Sequence, residues 1–178
     1  LDVGCGQGHL INVIARAFPN SRFTGYDFSE EGVAAGRSEA AHLGLTNARF
    51  AVQDVAALDE PDRYDLIIAW DVVHDLAQPA RVLATIADAL RPDGVFLMVE
   101  IAGSSRLEEN LGHPVGPLLY AASVMHCMTV SLAQKGAGLG TMWGEQAARQ
   151  LLGEIGFAVE VKQMAGDFMH NFFIARRP

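Results

Sequence analysis

A chain that opens Leu1-Asp2-Val3-Gly4-Cys5-Gly6-Gln7-Gly8 has little choice in how it begins. The run reads as the end of a buried strand entering a glycine turn, with a helix from about His9. Glycine at alternate positions lets the backbone turn sharply and lets main-chain N–H groups approach a ligand with no Cβ in the way. The helix that follows presents the unpaired N–H groups of its first turn, a seat for a carboxylate or phosphate.

The chain downstream repeats the strand–helix alternation. Leu10, Val13, Ile14 and Ala17 give His9 to Phe18 one apolar helical face. Arg22 to Tyr26 reads as a second strand ending in Asp27, and an acidic residue at that tip can accept both hydroxyls of a ribose. Ser29-Glu30-Glu31 is an N-cap with acidic first-turn residues, opening a helix to about Leu43 with Gly44 as its stop. A third strand, Ala48 to Val52, ends just before Asp54. Tyr64 to Trp70 is nearly continuously apolar, as suits a strand buried on both faces. Pro79 starts a helix to Leu90, Arg91-Pro92-Asp93-Gly94 reads as a turn, and Val95 to Ile101 is strand five. Residues 103–140 break the rhythm with frequent glycine and proline around a helical stretch, Leu118 to Ala133. Trp143 to Ile155 reads as a further helix, then Phe157 to Gln163 and His170 to Ala175 as two strands antiparallel to each other. The expected fold is α/β: a Rossmann-like, doubly wound, seven-stranded sheet, mostly parallel with an antiparallel last strand. A helical insertion after strand five lies over the strand tips.

Gly4, Gly6 and Gly8 follow G-x-G-x-G, tighter than the G-x-G-x-x-G of dinucleotide sites. With the preceding Leu-Asp-Val and the ordered Asp27 and Asp54, this resembles class I S-adenosylmethionine (SAM) methyltransferases over nearly the whole chain. The resemblance implies SAM as cofactor and S-adenosylhomocysteine as product. Its carboxylate would meet the turn of Gly4, Cys5, Gly6 and Gly8, with Asp2 near its amino-acid end. Asp27 would hold the ribose, and Asp54 the adenine amine, with Phe28 and Val55 packing on the base and Trp70 close by. Asp2 and Asp54 also read simply as a turn cap and a helix cap.

Trp70-Asp71-Val72-Val73-His74-Asp75-Leu76 is similar to the Trp-x-x-x-His-Asp segment of plant-type phenolic O-methyltransferases. The resemblance makes His74 the general base toward an acceptor hydroxyl and Glu100 the acid that orients it. A histidine suits that work because its ordinary pKa leaves a neutral nitrogen at cellular pH. The second orienting carboxylate of those enzymes is missing, since Gly138 to Trp143 contains none. His74 reads equally as a wall of the cofactor pocket. Methyl transfer also proceeds by alignment alone, because the sulfonium is already a strong electrophile. His126 and Trp143 are candidate acceptor contacts, and no metal-ligand spacing is evident.

A net charge of −8 over 178 residues argues against a general nucleic-acid surface. Two cysteines, Cys5 and Cys127, are too few for a disulfide scaffold and fit a reducing, cytoplasmic setting. No secretory leader or membrane-spanning run stands out. The expected partner is a small, apolar or aromatic acceptor molecule rather than nucleic acid or a membrane. A start inside the first strand without Met suggests one domain, 1–178, truncated at its N-terminus, with homodimer pairing through the missing region. Two other functions fit the same features: a non-catalytic SAM-binding module, and a nicotinamide-dependent oxidoreductase using Asp27 on a ribose.

Overall fold

The computed structural model describes all residues, 1–178. Seven strands form one sheet in the order β3-β2-β1-β4-β5-β7-β6. In chain order they are β1 (Asp2–Val3), β2 (Phe23–Asp27), β3 (Ala48–Val52), β4 (Tyr64–Trp70), β5 (Leu90–Ile101), β6 (Ala158–Lys162) and β7 (His170–Arg176). The first five run parallel, and β7 lies antiparallel between β5 and β6. The helices are α1 (His9–Ala17), α2 (Glu30–His42), α3 (Pro79–Ala89), α4 (Gly116–Ala122), α5 (Met128–Ala133) and α6 (Gly144–Ile155).

The strand order reverses direction at β1. From β1 the chain steps outward through β2 to β3, then returns to lay β4 and β5 on the other side. Right-handed crossovers therefore put α1 and α2 on one face and α3 on the other. The packing follows. Ile11, Val33, Ala40 and Phe50 form a small cluster under α1 and α2. A larger core joins Ile67, Ala69, Phe96 and Met98 of the sheet to Val82, Leu83 and Ile86 of α3 and Leu152 of α6. Between β1 and β4 the two windings part, and the crevice beyond their C-terminal ends is where such sheets bind ligands.

Two expectations change in detail. Strand five begins at Leu90, not Val95: Leu90 pairs with Tyr64 and Val95 with Leu66, so residues 91–94 loop out as a bulge within one strand. Pro92, which cannot donate to a ladder, falls in that bulge. The insertion helix begins at Gly116 and is interrupted by one π-helical turn, Ser123–Cys127, between α4 and α5. This 18-residue stretch, Gly116–Ala133, has a mean hydropathy of 1.3, long and apolar enough to cross a membrane by count. Its polar side chains instead fasten it to the fold. The Ser131 hydroxyl donates to Leu76 O, the Ser123 hydroxyl accepts from Thr141 N–H, and Cys127 Sγ lies 2.9 Å from Thr141 Oγ1.

Candidate active site

The glycine turn leaves β1 with Gly4, Gly6 and Gly8 all at positive φ (68°, 53° and 73°). Gly4 and Gly8 are glycines for want of room. A Cβ on Gly4 would stand 2.3 Å from Val72, and one on Gly8 would stand 2.3 Å from the Phe50 ring. Gly6 is different: nothing lies within 4 Å of the Cβ position, so it opens onto the crevice. Gly8→Ala is expected to cost about 2 kcal/mol and to lower Tm by roughly 5 °C. A thermal melt checks this, with Gly6→Ala as the variant that should keep its stability better and lose ligand.

Asp27 braces the turn from the tip of β2. One carboxylate oxygen accepts Gly6 N–H and the other Ser29 N–H, both at 2.8 Å. Each oxygen keeps a further lone pair. Ser29 caps α2 through Gly32 N–H, as its sequence position implies. α1 opens on Gly8 with no side-chain cap, leaving its first-turn N–H groups for a ligand. Asp2 is buried beneath the turn, and that burial, helped by the charge of Asp27, raises its pKa from 3.8 to about 7. Cys5 packs toward Gly25, where a Cβ would sit 2.8 Å from its sulfur. At the tip of β3, Asp54 accepts Ala56 N–H at 2.9 Å and so caps a short 3-10 turn that carries the buried Val55. Phe28 is exposed beside Asp27. Trp70 turns to β7, edge-on to His170 and Phe172.

Beyond β4 the chain makes a 3-10 turn, Val73–Asp75, that buries His74. Glu100, 1% exposed in β5, collects three donors. Val73 N–H reaches Oε1 at 3.0 Å; His74 Nδ1 and the indole N–H of Trp143 reach Oε2 at 2.5 and 3.2 Å. Burial disfavours the His74 cation. The Glu100 hydrogen bond and the charges of Glu100, Asp75 and Asp71 outweigh it, so the pKa stands above the usual histidine range. With Nδ1 committed to Glu100, Nε2 is the nitrogen left for other work. Trp143 is buried and gives its indole N–H to Glu100.

Asp71 had no sequence signal of its own. It takes φ 51°, an uncommon conformation for a residue with a side chain, at the end of β4. Its Oδ2 lies 3.2 Å from His170 Nε2, and Asp167 lies 3.0 Å from the other ring nitrogen. Its Oδ1 is buried without a partner. Burial raises its pKa, although the charge of His170 pulls it down. His126 is exposed on the π-helical turn, its Nε2 4.0 Å from Asp75 Oδ2.

Residues 1–150 match the family model described as a methyltransferase domain. The chain belongs to that family, the SAM-dependent methyltransferases. The domain is 33% identical over 100 residues to the ubiquinone biosynthesis O-methyltransferase of Aeromonas salmonicida, covering 54% of this chain and 41% of that protein. Its fold superposes on an O-methyltransferase family protein from Burkholderia thailandensis with a TM-score of 0.75, at 17% identity, covering 99% of this chain and 49% of the other. The mitomycin 7-O-methyltransferase MmcR gives 0.72 at 23% identity, with 98% and 48% covered. The methyltransferase domain spans less than half the length of such curated relatives. With the family established, SAM is its cofactor and the nicotinamide alternative lapses.

The cradle suits that cofactor. Gly6 leaves open the space a Cβ would fill, the first-turn N–H groups of α1 have no side-chain cap, and acidic groups stand in β1 and at or just beyond the tips of β2 and β3. The sequence pointed to those tips and to His74 and Glu100. It missed the support from Trp143, the strained Asp71 with His170, and the approach of Cys127 to Asp75.

Proposed function

We propose that the domain transfers the methyl group of SAM to a hydroxyl of a small, apolar or aromatic acceptor, with His74 as general base. The observation that carries this reading is the buried His74–Glu100 pair. Glu100 accepts the Nδ1–H hydrogen bond and fixes the ring, Trp143 and Val73 N–H fix Glu100, and Nε2, 3.5 Å from Asp75 Oδ1, is the nitrogen that would take a proton from an acceptor.

When bound, SAM supplies an electrophilic methyl group on a sulfonium. The chain's residues do the rest. The turn at Gly4, Cys5, Gly6 and Gly8 and the opening of α1 hold the carboxylate end, with Asp2 toward the ammonium. Asp27 accepts from the ribose hydroxyls, and Asp54, Phe28 and Val55 enclose the adenine. Trp70 closes the far side of the β4 tip. His126 and the exposed apolar side chains of the insertion, Leu118, Val124 and Met125, offer an acceptor its contacts. An acceptor of this kind agrees with the net charge of −8, which gives nucleic acid no general purchase. Relatives named as ubiquinone biosynthesis O-methyltransferases lend the O-methylation reading further support.

The test is release of S-adenosylhomocysteine in the presence of a panel of phenols and catechols, beside calorimetric binding of S-adenosylhomocysteine itself. Glu100→Gln presents an amide nitrogen to a pocket built from donors. It should lower turnover by at least about a hundredfold while leaving the dissociation constant for S-adenosylhomocysteine within a few-fold. His74→Gln should do the same. Unchanged turnover in both variants would remove His74 as base and leave alignment as the source of rate. Tight cofactor binding with no turnover on any acceptor would favour a non-catalytic SAM-binding module.

A further inference from the structure

Two short turns, far apart in sequence, bring three potential metal ligands together and leave a fourth on the rim. The 3-10 turn Val73–Asp75 supplies His74 and Asp75, and the π-helical turn Ser123–Cys127 supplies His126 and Cys127. The donor atoms of His74, Asp75 and Cys127 all lie within 4.8 Å of one another. His74 Nε2 is 3.5 Å from Asp75 Oδ1, and His126 Nε2 is 4.0 Å from Asp75 Oδ2. Isolated π-helical turns within α-helices are rare and recur at functional sites.

Three features separate this cluster from an ordinary packed corner. Asp75 Oδ1 is buried and makes no hydrogen bond, facing only the more distant His74 Nε2 at 3.5 Å, a poorly satisfied state for a carboxylate oxygen unless something else binds it. The 3.5 Å spacing is long for a hydrogen bond but close to the edge of a tetrahedron. Bonds near 2.1 Å set adjacent ligand atoms about 3.4 Å apart. His74 also donates its other ring nitrogen to the Glu100 carboxylate, the outer-sphere bond that metal-binding histidines regularly make.

We propose that His74, Asp75, Cys127 and His126 form a binding site for a divalent cation of the zinc class. Two imidazoles, a carboxylate and a thiolate suit a borderline metal rather than magnesium or calcium, which prefer oxygen alone. His126, exposed on the rim, swings in to complete the set, while His74 and Cys127 are already in place. Coordination replaces the Cys127 thiol proton, which leaves to solvent, and ends the contact of that sulfur with Thr141. Because His74 Nε2 would be the coordinating nitrogen, an occupied site withholds it from an acceptor. Zinc binding and hydroxyl methylation by the proposed His74 route thus exclude each other. Only that consequence rests on the proposed function.

The experiment measures zinc affinity of the full chain by competition with a chromogenic chelator, and records the absorption spectrum with cobalt(II) in place of zinc. One metal per chain and a thiolate-to-cobalt charge-transfer band are expected. Cys127→Ser should abolish the band and weaken zinc at least about thirtyfold. Glu100→Gln, which touches no metal, should weaken it roughly ten- to a hundredfold. His42→Ala, an exposed histidine elsewhere, should change nothing. If Cys127→Ser melts early, Asp75→Asn serves as the affinity test and the cobalt band of the unaltered chain as the thiolate test. A spectrum without the sulfur band, or zinc affinity unmoved by Asp75→Asn, overturns the site. The binding readouts need no turnover, so a failure of the methylation reading leaves them intact.

Discussion

Asp27→Ala is expected to weaken S-adenosylhomocysteine binding by at least about a hundredfold. Two charge-assisted hydrogen bonds to ribose hydroxyls are together worth about 3 kcal/mol or more, and each 1.4 kcal/mol is tenfold in affinity. The variant also loses the brace on the glycine turn, since Gly6 N–H and Ser29 N–H both end on this carboxylate. Asp27→Asn separates the two effects. Its single carbonyl oxygen can keep one of those backbone bonds but can no longer serve both the turn and the ribose. Calorimetric titration of both variants, each with a thermal melt, checks the claim. Retained binding in Asp27→Ala at unchanged stability would mean that Asp27 only holds the turn.

What the chain order could reveal was whatever depends on near neighbours. The glycine turn, the Ser29 cap and the strand–helix alternation are local, and alternation with a closing antiparallel pair is enough to imply the sheet. Residues 91–94 show where that stops. Their local chemistry is that of a turn, yet pairing of Leu90 with Tyr64 in β4 makes them a bulge inside a strand. The site shows the same limit more sharply. Asp27 and Asp54 stand at strand tips that periodicity locates. The Glu100–Trp143 bond joins residues 43 apart, and the Asp71–His170 pair joins residues 99 apart. Nothing local marks either one. The His74–Glu100 pairing was reached through a family resemblance rather than through spacing, and its geometry bears out only that the two groups meet.

Asp2→Asn is expected to stabilise the cofactor-free protein at pH 8, in opposition to its effect on binding. Burial raises the Asp2 pKa from 3.8 to about 7. Below about pH 4 folded and unfolded chains both hold the proton, and the charge costs nothing. Between pH 4 and 7 the unfolded chain releases it while the folded chain keeps it, so stability falls as pH rises. Above pH 7 the loss is complete, on the order of 4 kcal/mol. Asparagine keeps the shape without the charge, so the variant should melt about 10 °C higher than the unaltered protein at pH 8 and close to it at pH 4. An acidic group held at this cost makes sense beside a cation. If the cofactor ammonium lies against Asp2, binding S-adenosylhomocysteine at pH 6 should eject a proton, seen as a dependence of the binding enthalpy on buffer ionisation heat. Affinity should then climb with pH until about 7. The asparagine variant should bind more weakly and lose both the buffer and the pH dependence. Equal melting of the two proteins at pH 8 would mean that Asp2 is ionised without penalty, and proton release surviving in Asp2→Asn would assign it to another group. The expected pairing, more stable but weaker for cofactor, would identify the buried carboxylate as stability given up for recognition.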